Sequence, residues 1–288
     1  MSDPDILSAE LERVAAIESH TVRAWPATVV ETTPDGWVLR ATPQLHGRGR
    51  SNHALVPARP LSGEDVDRGL AQAAEFAARN GIPCGVQVSP MDLHRPLLDE
   101  LARRGWTIGE QVVVMTAEPR LVLDGAGEAG QHGFLELQVS GVATRDWVED
   151  WRHCDRRPDV EDHVQSVFQR MAGFANFAHA AGRAAGISVE LDGIVGLFCI
   201  AVAPSERRQG VGKRLVRAML ARHQAQLAYL QVFSRNAAGL ALYHSLGFRE
   251  RYRYCHCVAP ASATGRSLPA NGRINGAPAG AAAGRDGC

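Results

Sequence analysis

The stretch Val202-Ala-Pro-Ser-Glu-Arg207-Arg208-Gln209-Gly210-Val211-Gly212-Lys213 has the makings of an anion cradle. Gly196 to Val202 is a short, nearly continuous apolar run of the kind a buried strand needs, and Pro204 ends it. From Gln209 onward Val211, Leu215, Ala218, Met219 and Ala225 recur at helical spacing, with Lys213, Arg214, Arg217 and Arg222 on the other face. Glycines at a helix entry leave backbone N–H groups bare where the positive end of the helix dipole points, so a diphosphate can sit there. Any strand-to-helix turn can use a glycine pair for the turn alone, and this segment by itself leaves both readings open.

A second segment narrows the choice. Leu230-Gln-Val-Phe-Ser-Arg-Asn236-Ala-Ala-Gly-Leu-Ala-Leu242-Tyr243-His-Ser-Leu246-Gly247-Phe248 reads as strand, loop, helix and glycine stop. Asn236 and Tyr243 are seven residues apart, about two helical turns, and so share one helix face. In order and spacing, Arg207-x-x-Gly210-x-Gly212 after Val202-x-Pro204, then Asn236, Leu242-Tyr243 and Leu246-Gly247-Phe248, resemble the acetyl-CoA site of the GCN5-related N-acetyltransferases (GNATs), over roughly residues 185–258.

The resemblance implies roles. Tyr243 would be the general acid that protonates the departing thiolate when an amine attacks the thioester, and Asn236 would contact the cofactor. The strand ending at Ile200, Ala201 and Val202 would splay from its neighbour and pair with the pantetheine arm. Amides around Arg208, Gln209, Gly210, Val211, Gly212 and Lys213 would hold the pyrophosphate, with Arg207 and Lys213 adding charge. Plainer readings stand beside these: a tyrosine packed on the sheet, an asparagine capping the helix, cations on a solvated face.

One departure matters. Several family members use a glutamate on the cofactor strand as general base, but Gly193 to Pro204 holds no carboxylate, and Gly196 falls about where it would be. An aliphatic ammonium has a pKa near ~10, so its proton must be removed or the minority free amine bound. Glu190, Asp192, His153 and His244 are the candidates, Glu190 first because it lies on the preceding strand of a hairpin around Asp192-Gly193.

The 288 residues allow two ordinary domains or one large one. Lys plus Arg and Asp plus Glu balance at 31 each, which makes no case for nucleic acid or an anionic membrane. No apolar run approaches the roughly 18 residues of a spanning helix, and Met-Ser-Asp-Pro-Asp is unlike a signal peptide, so the expectation is cytoplasmic. Six scattered cysteines fit reduced thiols, and Cys199 reads as core. Cys255-His256-Cys257 puts its cysteines on one strand face and His256 on the other, which argues against a metal site. Ala259 to Cys288 is rich in Ala, Gly and Pro and reads as a disordered tail.

The first half is expected to hold a helix over Ile6–Arg23, a hairpin of Thr28–Thr33 and Trp37–Thr42, a helix over Glu64–Arg79, a strand Cys84–Val88, a helix Leu93–Arg104 and a strand Glu110–Ala117. Its ending repeats the C-terminal one. Gly85-Val-Gln-Val88 echoes Tyr229-Leu-Gln-Val232, Gly105-Trp106 echoes Gly247-Phe248, and a long strand then closes each unit. Leu101 stands where Tyr243 does and His94 where Asn236 does, and no Val-x-Pro-x-x-Arg-x-x-Gly-x-Gly segment is present. The first half thus resembles a degenerate copy. Gly47-Arg-Gly-Arg50-Ser-Asn52-His53 reads as a solvated loop or as a contact to acceptor or anion across the interface. Thr144 to Met171 reads as two helices broken near Arg157-Pro158; its acids, Asp146, Glu149, Asp150, Asp155, Asp159, Glu161 and Asp162, attract a cationic amine or pair with Arg145, Arg152, Arg156 and Arg157.

These readings give an α+β chain of two GNAT-like domains, each a mixed, mostly antiparallel sheet flanked by helices: 1–123 degenerate, 124–132 linker, 133–258 catalytic, 259–288 tail. The implied activity is transfer of an acetyl group from acetyl-CoA to a primary amine of a small molecule by direct attack, with no metal, and a homodimer is compatible with it. The alternatives are acetylation of a protein or peptide amine and a non-catalytic acyl-CoA sensor or scaffold. A different nucleotide is disfavoured because no Gly-Lys-Ser/Thr triplet follows the turn.

Overall fold

A computed structural model describes residues 4–45, 48–124, 135–155 and 162–260. The first half runs α1 (Pro4–Ala24), β1 (Val29–Thr32), β2 (Val38–Ala41), α2 (Gly49–Asn52), β3 (Ala54–Leu55), α3 (Gly63–Asn80), β4 (Gly85–Val88), α4 (Arg95–Arg103), β5 (Thr107–Ile108) and β6 (Val112–Ala117). After α5 (Pro119–Asp124) come β7 (Gln138–Ser140), α6 (Arg145–Asp155), α7 (Asp162–Arg170), β8 (Ala175–Ala180), β9 (Ala184–Leu191) and β10 (Ile194–Val202). The chain closes with α8 (Val211–Leu220), β11 (Leu227–Phe233), α9 (Ala237–Ser245) and β12 (Arg249–Val258). Local chemistry sets the boundaries: Ser62 and Asp65 form a capping box before α3, and Gly81 ends it in the left-handed conformation. Residues 125–134, 156–161 and 261–288, which include the expected linker, the break between the two helices and the tail, lie outside the described residues.

Among the described residues the strands form one sheet in the order β1-β2-β3-β4-β12-β6-β11-β10-β9-β8-β7, with β5 added on β12. The order is a palindrome about the β12–β6 pair. β3–β4 and β10–β11 are parallel, β4–β12 and β6–β11 antiparallel, and β12–β6 antiparallel at the centre. The nine-residue helices α4 and α9 follow β4 and β11, start from His94 and Asn236, and are each followed by a glycine at positive φ, Gly105 (+76°) and Gly247 (+94°). The closing strands are exchanged: β6 follows α4 in sequence but pairs with β11, and β12 follows α9 but reaches β4. That differs from the sequence expectation that each long strand closes its own unit. The exchange leaves neither β4 nor β11 as an open edge, because β12 and β6 also pair with each other.

Helices α6 and α7 cover one face of the second half, around Trp147, Trp151, Phe168 and Phe177. Helix α8 covers the other face through Val211, Leu215, Val216 and Met219, together with Tyr243 of α9. α3 and α4 bury Leu70, Phe76, Leu97 and Leu101 against the first-half strands. Helix α1 crosses the junction. Its Glu18 accepts from Ser89 Oγ, Gln87 Nε2 and Tyr252 Oη, while His20 Nδ1 and Thr21 Oγ1 bond the hydroxyl of Tyr229 at 2.9 and 3.0 Å. No described helix is long and apolar enough to cross a membrane.

Candidate functional site

The site begins where a strand leaves its partner. β10 pairs with β11 from Ile194↔Leu227 to Leu197↔Leu230 and no further, although β11 continues against β6 to Phe233. On its other side β10 breaks register with β9 between Phe198 and Ala201, where Cys199 takes φ +51°. The bulge turns β10 away from β11. Among the described residues the β11-facing edge of β10 beyond Leu197 then carries no strand. A cavity of about 130 Å³ opens in this gap.

Asn236 and Tyr243 meet at that cavity, with Ile200 and Cys199 of β10. Asn236 also caps α9, its Oδ1 accepting from Gly239 N at 2.9 Å, so capping and cavity lining fall on one residue. Tyr243 is buried, its ring 6.2 Å from that of Phe248 in an edge arrangement. Ala201 and Val202 continue β10 against Ala185 and Ala184. Cys199 is core by burial and lines the cavity as well.

The turn after β10 is built for a helix entry. Helix α8 begins at Val211, two residues later than the periodicity suggests, because Arg208 (φ +62°) and Gly210 (φ +73°) are both left-handed. Glycine takes that conformation without the cost a Cβ brings. Arg207 Nε donates to Val202 O at 3.1 Å, Gln209 Nε2 to Ser205 O at 2.7 Å and Arg214 Nη1 to Gln209 O at 3.1 Å. These side chains brace the turn while the first-turn N–H groups of Val211, Gly212 and Lys213 have no intrahelical acceptor. Arg207, Arg208 and Gln209 are exposed and Lys213 half-buried.

The expected bases are not brought to the cavity. Glu190 Oε2 accepts from His223 Nδ1 at 3.0 Å and from Gln224 N, and it does not line the cavity with Tyr243. Opposite Val195 in the β9–β10 ladder, it lies several residues short of the bulge. Asp192 sits exposed in the hairpin turn, 2.7 Å from Arg23. His153 and His244 are exposed on their helices. Of the acids in α6, Asp150 accepts from Gly182 N and pairs with His179 Nδ1, and Glu149 pairs with Arg145, so that the helix presents Trp151 to the cavity in place of a carboxylate. Asp159 and Glu161 lie outside the described residues.

The opposite wall comes from elements that no motif joins. Trp25, Arg50, Gln231, Tyr254 and His256 line the same cavity. Gln231 Oε1 accepts from Arg50 Nη2 at 2.7 Å and from Tyr254 Oη at 2.9 Å, and Gln231 Nε2 reaches Thr21 at 3.3 Å. Nδ1 of His256 lies 3.2 Å from Nδ1 of His53. Burial lowers the pKa of His53 to about 3 and holds that of His256 well below 6.5, with His53, Arg40 and Arg50 adding to the effect. Both imidazoles are therefore neutral. The Gly-Arg-Gly-Arg run around Arg50 was the sequence signal for this wall; Trp25, Gln231, Tyr254 and His256 carried none. Cys255 and Cys257 turn to the other side of β12, into the first-half core, with their sulfurs 3.8 Å apart. Among the described residues no group of three metal-ligating side chains converges.

A family model described as "Probable histone acetyltransferase Rv0428c C-terminal" matches residues 12–257. The chain belongs to this family. Its relatives include the "Uncharacterized N-acetyltransferase YobR" of Bacillus subtilis, 24% identical over 249 residues, which cover 83% of this chain and 95% of that protein. A GCN5-related N-acetyltransferase from Kribbella flavida has the same fold, with a TM-score of 0.62 at 17% identity over 86% of this chain and 96% of the other. A tandem GNAT protein from the clavulanic acid biosynthesis pathway superposes with a TM-score of 0.53 at 12% identity, covering 90% and 95% of the two chains. The Rv0428c-type family thus places the chain among the GNAT proteins, with their mixed α+β fold.

Proposed function

We propose that the chain transfers an acetyl group from acetyl-CoA to the primary amine of a small molecule by direct attack. The observation that carries this reading is the meeting in one cavity of Tyr243 and Asn236 with the stretch of β10 where its pairing to β11 has ended. Residues Arg208 to Lys213 would hold the pyrophosphate on their amides, and β10 from Ile200 to Val202 would pair with the pantetheine arm. Two observations support this: Arg208 and Gly210 in the turn are both left-handed, and among the described residues no strand lies on the β10 edge beyond Leu197.

Tyr243 donates its phenolic proton to the sulfur as the C–S bond breaks and the amine nitrogen bonds to the acetyl carbon, and the proton that the nitrogen loses passes through solvent to restore the phenol. Among the described residues the cavity lining includes no Asp or Glu, and the amine must react as its free base. We further infer that residues 1–123 and 133–258 descend from one GNAT-like unit, a reading supported by the palindromic strand order and by the equivalent places of α4 after β4 and α9 after β11.

Calorimetric titration of acetyl-CoA into the wild type and into an Arg207→Glu, Gly210→Asp double variant tests the reading. Binding to the wild type that is lost in the folded variant supports it, and thiol release with an amine panel then measures turnover. Absence of binding to a folded wild type would sink it.

A further inference from the structure

A second cavity, of about 350 Å³, lies in the first half between the N-terminal ends of α3 and α4, and it shares no lining residue with the cavity at Tyr243. Its volume falls in the range of small-molecule sites, about 300–1,000 Å³. Leu61, Val66, Leu93, Pro96 and Leu97 make much of the lining apolar. The charged side chains there are paired with one another: Arg104 with Asp67 at 2.5 Å and with Glu100 at 2.6 Å, and Arg103 with Glu100. Two acids and two arginines cancel, so a charged ligand meets no unmatched partner. The entry of α3 is also closed to phosphate. Ser62 Oγ accepts from Asp65 N, the Asp65 carboxylate accepts from Ser62 N, and Glu64 stands beside them in the first turn. In chain order α3 and α4 flank β4 as α8 and α9 flank β11, so the half without the glycine turn has a pocket of different chemistry beside the corresponding helices.

One imidazole breaks the apolar lining. His94 is 3% exposed, and its Nε2 lies 3.1 Å from the carbonyl oxygen of Pro57. A carbonyl oxygen only accepts, so Nε2 carries the proton and Nδ1 keeps a lone pair. Burial, with Arg59 nearby, lowers the pKa of His94 to about 4, and the ring is neutral. Among the described residues Nδ1 has no hydrogen-bond partner. A buried acceptor without a donor is costly, and a ligand that brings a donor removes that cost. We propose that this cavity binds a small neutral alcohol or phenol, whose hydroxyl donates to Nδ1 of His94 while its apolar body packs on Leu61, Val66, Leu93 and Leu97. A carboxylate or an ammonium of the same size would be desolvated there without compensation. The proposal does not depend on the acetyltransferase reading.

The test titrates p-cresol, its methyl ether 4-methylanisole and the charged 4-methylbenzoate into the full chain, read by methyl-detected NMR. The three probes share an apolar body, and only p-cresol is both neutral and a donor. p-Cresol should shift the methyl signals of Leu61, Val66, Leu93 and Leu97 and bind about 3- to 10-fold more tightly than the ether, with the benzoate weaker than both. His94→Phe keeps a ring in place and removes the acceptor, so it should bring p-cresol and the ether to equal affinity. Equal affinity of the two for the wild type would show that no ligand donor meets Nδ1 and would overturn the proposal. So would shifts centred on other methyl groups, no shifts at millimolar p-cresol, or tighter binding of the benzoate. A preference for p-cresol that survives in folded His94→Phe would overturn it as well. If that variant does not fold, the wild-type affinity ratio and the methyl map decide the matter by themselves.

Discussion

A Cβ built on Gly196 would stand 2.8 Å from the phenolic oxygen of Tyr229 and 2.8 Å from the ring of Phe198. The position at which the family resemblance implies a glutamate base is therefore filled from two sides. Tyr229 is fully buried and bonded to His20 and Thr21, and cannot move aside. Gly196→Glu should not supply a base. It should overpack the sheet and cost about 1–3 kcal/mol or more, read as a lower urea midpoint at unchanged slope. A variant with wild-type stability and faster turnover would refute this account.

Tyr243→Phe should lower kcat by about 10²- to 10⁴-fold and leave acetyl-CoA affinity intact, since the ring keeps its place against Phe248. Glu190→Gln should leave kcat/KM unchanged, because the carboxylate faces His223 and Gln224. Steady-state kinetics on the two variants, side by side, separates the assignments. A large loss in Glu190→Gln with a silent Tyr243→Phe would reverse them.

Acid should destabilise the fold. Burial is the first cause that lowers the pKa of His20 to about 4, His53 to about 3 and His94 to about 4, and it also holds His256 well below 6.5. Unfolded histidines titrate near ~6.5, so below that pH the unfolded chain binds more protons than the folded one. Their stabilising effect is complete above the unfolded pKa and is lost as the pH falls toward the folded values, at about 1.4 kcal/mol per pH unit for each histidine. Glu18, whose pKa burial raises above 4.5, works the other way, since the folded state takes up its proton first. Four histidines outweigh one glutamate, and Tm should drop between about pH 7 and pH 5. Calorimetric scans that show a flat or rising Tm across that range would contradict the burial of these rings.

Glu18 joins the halves. Its carboxyl group accepts from Ser89 at 2.5 Å, Tyr252 at 2.9 Å and Gln87 at 3.0 Å, which tie α1 to β4 and β12. Glu18→Ala should cost about 3–5 kcal/mol, because three buried donors lose their acceptor together, and Glu18→Gln should cost less. Denaturant melts of both variants give the comparison. Equal, small effects would show that α1 is dispensable at the junction.

The anion turn, its helix and the Asn236–Tyr243 face were legible in the sequence because each depends on neighbours within a few residues. Apolar periodicity, a proline stop, a glycine entry and a glycine exit are local signals, and α3, α4, α8 and α9 follow them to within a few residues. The repeat of β4, α4 and Gly105 in β11, α9 and Gly247 was legible for the same reason. Other features were not. β8 has the weakly patterned sequence Ala-Asn-Phe-Ala-His-Ala, and β3 is two residues long, so partner strands define them where propensity does not. Which strand closes which half depends on free edges that exist only once both halves are formed. Glu190 looked like a base because strand order puts it near the cofactor strand, but register and His223 turn it elsewhere. Trp25, Arg50, Gln231, Tyr254 and His256 share a cavity only because α1 crosses the junction, Gly49 admits β12 and the closing strands exchange. The sequence by itself determined the glycine turn and the helix faces, since backbone and dipole set those locally. Only the tertiary structure decided which side chains line the cavity, because they are brought together from across the chain.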